Sequence, residues 1–74
     1  MKTIYQLAIQ IGPVMFFVYE SKENLEAQVQ EFEQRFDIPF FTFKGHTKYA
    51  DMRSTQVTAV REHVLALEIT HFGE

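Results

Sequence analysis

Hydrophobic and polar positions alternate along residues 3–11, TIYQLAIQI. Tyr5, Leu7, Ile9 and Ile11 fall on one side, and Gln6, Ala8 and Gln10 on the other. A period of two predicts a strand with one buried face. Gly12 and Pro13 then mark a turn. In residues 14–19, VMFFVY, the alternation disappears: both faces are apolar and β-forming residues dominate. Such a strand is central in its sheet, or its second face meets a helix or a partner. The two strands are expected to form a hairpin.

The period changes after Glu20. Ser21 is placed to cap a helix over residues 21–36. Leu25, Val29, Phe32 and Phe36 recur at steps of four, three and four, which makes a single apolar stripe. Glu31 and Arg35 stand in the favourable order for an i,i+4 ion pair. Pro39 ends the helix, because the residue before a proline is driven out of the helical region.

Phe40–Phe43 reads as a third strand, Lys44-Gly45-His46 as a turn, and Lys48–Ala50 as a short strand pairing back. Residues 51–55, DMRST, read as a polar hook. The stretch 55–70 fits two templates. With period two, Val57 and Ala59 lead to a turn at Glu62-His63, after which Leu65, Leu67 and Ile69 share one face and Ala66, Glu68 and Thr70 the other. With period 3.6, Val57, Val60, Val64 and Leu67 form a helical stripe. The β-branched run from Thr55 to Val60 favours the hairpin. The predicted fold class is α+β: ββα followed by ββ or βββ, a small antiparallel sheet of four to six strands with one amphipathic helix on one face.

Length narrows the picture. Seventy-four residues are read as one domain spanning 1–74. So short a chain buries only about 60% of its unfolded surface, and small domains usually rely on a staple. A disulfide is excluded by the absence of cysteine. Eight Phe and three Tyr are the remaining resource, used in an unusually aromatic core or covered in part by a partner. The lack of cysteine fits a reducing compartment. The apolar start is interrupted by Gln6 and Gln10, unlike a signal-peptide core, and no apolar run reaches the roughly 18–20 residues of a membrane span. A cytoplasmic location is the expectation.

Charge is unevenly spread over a net −3. Residues 20–37 hold six acidic side chains against two basic ones, and residues 44–61 hold four basic against one acidic. The first segment is the helix. Its Glu23, Glu26, Gln30 and Glu33 are candidates for an anionic face that docks a protein, in particular a basic one. A bulk pI near 5.5 argues against non-specific nucleic-acid binding.

The stretch FFTFKGHTKY, residues 40–49, carries the chemistry of a single-strand binder. Aromatic rings on a sheet stack on bases, and neighbouring lysines meet phosphates. Phe41, Phe43, Lys44, Lys48 and Tyr49 would be its contact residues. The glycine follows the aromatics here, contrary to the RNA-recognition-motif order. The competing role is structural, with Phe41 and Phe43 packed on Phe32 and Phe36. Which face Phe41, Phe43 and Tyr49 occupy decides between the two.

His46, His63 and His71 match no metal-ligand spacing, and no nucleophile elbow, phosphate loop or carboxylate pair placed for acid–base work appears. No catalytic residue, metal or cofactor is expected. The function expected is therefore a non-enzymatic protein-binding module, of adaptor or inhibitor type, using the acidic helix face or an exposed sheet surface. Self-association as a homodimer, with Leu65, Leu67 and Ile69 near the contact, is a related expectation. Single-stranded nucleic-acid binding through residues 40–49 is the alternative.

Overall fold

The computed structural model describes residues 3–47 and 53–73. Within them the elements run β1 (Ile4–Ile11), β2 (Val14–Tyr19), α1 (Lys22–Gln34), β3 (Phe40–His46), β4 (Ser54–Val60), a 3-10 turn at Arg61–His63, and β5 (Val64–Phe72). The protein is α+β, as the periodicities predict: one helix and a five-stranded antiparallel sheet in the order β4-β3-β2-β1-β5.

The first hairpin forms around Gly12-Pro13, with Ile11 opposite Val14 and Gln6 opposite Tyr19. Gly12 has a φ of +58°, which glycine adopts without a Cβ penalty and which suits a two-residue hairpin turn. Leu7 and Ile9 on β1, Val18 on β2, Leu25 on α1 and Phe43 on β3 form the fully buried core. Tyr5, Ile11, Val29, Phe32 and Phe41 pack around it. The alternation along residues 3–11 thus sends its apolar face inward.

Residues 55–70 form two strands, but these do not make a hairpin with each other. β4 pairs with β3, Val57 opposite Phe43, and β5 pairs with β1, Ile69 opposite Leu7. They lie at opposite edges of the sheet. In a flat sheet four strand spacings, about 19 Å, would part them. The link from Val60 to Val64 has four residue steps and reaches at most about 14 Å. The sheet must therefore curl, and the 3-10 turn holds it curled. The Gly12 N–H donates to the His63 carbonyl (3.0 Å) and the Arg61 N–H to the Pro39 carbonyl (2.8 Å).

Three further expectations change. Lys44-Gly45-His46 is strand, not turn. A Cβ on Gly45 would lie 3.0 Å from the Tyr19 carbonyl oxygen and 3.1 Å from the Val18 Cβ, so glycine lets β3 meet β2 there. The helix ends at Gln34, and Phe36 is 78% exposed beyond it. Val64 pairs with Ile11 and Ala66 with Gln10, so Leu65 is an extra, bulged residue. It is exposed, while Leu67 and Ile69 pack against the core. The proposed strand at Lys48–Ala50 and the first residues of the polar hook lie outside the described residues.

Candidate protein-docking surface

β2 stands between β1 and β3 in the sheet, yet it is poorly covered. Among the described residues its pairing with β3 is the position Tyr19–His46, and residues 48–50, which continue that register, lie outside the described residues. There the His46 Nδ1 lies 3.3 Å from the Tyr19 carbonyl oxygen and 3.8 Å from a Glu20 carboxylate oxygen. Helix α1 packs over β1 and β5 and meets β3 through Phe32 and Gln28, and on β2 only Val18 is fully buried in the core with Leu25. Towards the hairpin turn, Val14, Met15, Phe16 and Phe17 are 40–48% exposed, four large apolar residues in succession. Val14 and Phe16 share the face of Ile9 and Ile11; Met15 and Phe17 share the face of Ala8 and Gln10. Both faces of the strand are therefore apolar and open.

This surface was only half legible in the sequence. The absence of alternation in VMFFVY showed a strand needing cover on two faces. Which of its residues stay open was settled by packing: Val18 is buried in the core, and Val14 to Phe17 are exposed.

The edge of β3 that turns away from β4 is closed differently. The Gln28 side-chain nitrogen donates to the Lys44 carbonyl (2.7 Å), and its oxygen accepts from the Lys44 N–H (2.8 Å). One glutamine amide thus replaces one residue of a neighbouring strand. Arg61 closes the far end of the helix. Its Nη2 donates to the carbonyls of Phe32 and Arg35 (2.7 Å to the latter), and its Nε to the Ile38 carbonyl at 3.3 Å. The guanidinium carbon lies 4.1 Å from the Phe32 ring centroid. A cation at a helix C-terminus meets both orphan carbonyls and the negative end of the dipole. Nothing local in the sequence marks either residue.

The aromatic stretch 40–49 divides. Phe43 is fully buried and Phe41 is half-buried. Phe32 meets both, edge-on to Phe41 at 5.4 Å and tilted to Phe43 at 5.6 Å between centroids. Their rings form the core of the β3–helix contact. Lys44 is exposed, and Lys48 and Tyr49 lie outside the described residues.

Glu23, Glu26, Gln30 and Glu33 are all exposed, at steps of three, four and three along α1. Lys22 approaches Glu26 at 4.0 Å, and the anticipated Glu31–Arg35 pair forms at 3.2 Å. Such exposed pairs contribute little to stability. Among the described residues no group of three potential metal ligands comes together, and no helix is long and apolar enough to cross a membrane.

No protein-family model, curated protein or solved structure matches this chain.

Proposed function

We propose that the protein is a small non-catalytic protein-binding module, and that its docking surface is β2, residues 14–17. One observation carries this reading: four consecutive large apolar side chains stay 40–48% exposed on a strand in the interior of the sheet order. Contiguous apolar surface of this kind marks interaction sites on soluble proteins.

The burial of Phe43 and the packing of Phe41 on Phe32 weigh against the nucleic-acid alternative, since stacked bases need open ring faces. The exposed helix stripe of Glu23, Glu26, Gln30 and Glu33 supports a second protein-binding reading, a face for a basic partner.

A photo-crosslinking side chain placed in turn at Met15, Phe17 and Glu33 distinguishes these readings. Protein adducts from Met15 and Phe17, with none from Glu33, are expected in the native host. Adducts from Glu33 alone would transfer the site to the helix. No adduct at any position would overturn the module reading.

A further inference from the structure

We infer that the sheet face carrying Met15 and Phe17, the one turned away from the helix, packs on the same face of a second copy of this chain, about a twofold axis that runs along β1 at Ala8. The inference rests on the reading of β2 as a docking surface and names the face and its partner.

The strand register defines the face. Phe17 lies opposite Ala8, and Ala8 opposite Glu68. Met15, Gln10 and Ala66 form the next row towards the hairpin turn, and Tyr19, Gln6 and Thr70 the row on the other side. Opposed residues in an antiparallel pair share a face. Leu7 and Ile9, which alternate with these positions on β1, point the other way, into the core with Leu25 of α1. The face is open on the exposure of its own side chains. Met15 is 46% and Phe17 44% exposed, and Ala66, Glu68 and Thr70 are exposed beside them.

The chemistry of the face suits a like surface. Charged residues make up 23% of the chain, yet Glu68 is the one charged side chain in these three rows. A partner selected by charge would have a single carboxylate to meet. Few charges, with methionine and aromatic rings, is the composition of an interface core.

The distribution of size selects the axis. β2 contributes a column of large side chains, Met15, Phe17 and Tyr19, and β5 the small Ala66 and Thr70 on either side of Glu68. A twofold along β1 lays β2 of one copy over β5 of the other. Met15 then meets Ala66, Tyr19 meets Thr70, and the two Phe17 rings pass side by side over the Ala8 pair. Large against small is how facing sheets interdigitate. Glu68 stands on the edge strand β5, so its methylenes can pack on a Phe17 ring while the carboxylate reaches water. The two Glu68 are then two strand spacings apart, about 10 Å. A twofold running across the strands would instead set Met15 on Tyr19 and Glu68 on Glu68, large on large and like charge on like.

The area fits a weak dimer. Met15, Phe17 and the neighbouring Phe72, all 44–46% exposed, present about 270 Å² per copy, taking roughly 200 Å² for a large side chain. The smaller and half-buried side chains of the face bring this to about 600 Å². The pair buries about 1,200 Å² in total, at the lower bound for a specific complex.

Sedimentation equilibrium of the full chain, from about 1 to 500 μM to bracket so weak a contact, tests this. The mass is expected to rise from 8.7 kDa towards twice that value. Phe17→Lys on β2 and Ala66→Lys on β5 alter exposed side chains of the face. Each should weaken association at least about tenfold, the effect of a charge placed in an apolar contact, with far-UV circular dichroism unchanged. Val14→Lys, on the opposite face of β2, should leave association within about twofold. The chain has no cysteine, which permits a second readout. Met15→Cys copies mixed with Ala66→Cys copies should be joined by a bis-maleimide reaching about 10 Å, the spacing of packed sheets. Val14→Cys copies mixed with Ala66→Cys copies should not. A monomer at every concentration would overturn the second copy. Crosslinks from Phe17 to a different protein would then leave the docking surface standing, and their absence would remove both. Dimerisation abolished by Val14→Lys but unaffected by Phe17→Lys and Ala66→Lys would also overturn the proposal.

Discussion

Arg61 shows how much one side chain can connect. It lies at the start of the 3-10 turn, between the two edge strands, and binds the carbonyls of Phe32, Arg35 and Ile38. It therefore ties the β4–β5 link to the end of the helix and to the chain leading into β3. Arg61→Ala is expected to cost about 2 kcal/mol, the usual range for hydrogen bonds made by a charged donor. Arg61→Lys should recover less than half of this, because an ammonium cannot reach three carbonyls in a fixed fork. Urea unfolding midpoints of the two variants check the order. A variant as stable as the parent would show the contacts to be incidental.

At the scale of the element, the helix is both well predicted and wrongly ended. Ser21 caps it, its hydroxyl accepting from the Asn24 N–H at 3.2 Å. Leu25, Val29 and Phe32 face the core as their spacing requires. Phe36 continues the spacing but not the helix, since Arg35 already leaves helical geometry with φ −102° and ψ 56°. Pro39 accounts for a stop in this region, and the Arg61 contacts determine where it falls. Phe32→Ala should cost about 3 kcal/mol through the cavity left among Phe41, Phe43 and the guanidinium of Arg61. Phe36→Ala should remain within about 0.5 kcal/mol of the parent, as for other exposed positions. Thermal melts of the pair test the helix boundary directly. Equal losses would place both rings in the core.

At the scale of the molecule, one helix cannot cover a sheet of five strands. A helix is about 10 Å wide and strands lie about 4.8 Å apart, so it covers two or three. Curling brings the β3–β4 hairpin against the helix through Phe32, Phe41 and Phe43, which leaves β2 as the strand with open faces. The same packing uses the rings that a nucleic-acid platform would need. We therefore expect no salt-dependent binding of a single-stranded oligonucleotide at physiological ionic strength. Fluorescence anisotropy checks this, and a micromolar signal that weakens with added salt would reverse it, because phosphate contacts release counterions.

By itself the sequence determined the local elements. Period-two alternation in residues 3–11, the steps of Leu25, Val29 and Phe32, the Ser21 cap and the Gly12-Pro13 turn depend on neighbours within a few positions, and the chain carries that information openly. It also showed that VMFFVY needed cover on both faces. Only the tertiary structure decided which strands pair. β4 and β5 are adjacent in sequence and could be read as a hairpin, but Phe43 opposite Val57 and Leu7 opposite Ile69 draw them to opposite edges. It also decided that Gly45 is a point of contact within β3, that Gln28 and Arg61 serve distant backbone, and that Leu67 and Ile69 go inward while Leu65 bulges out. Each of these depends on residues far apart in the chain, and the gain from burying apolar surface does not record which partner supplies it.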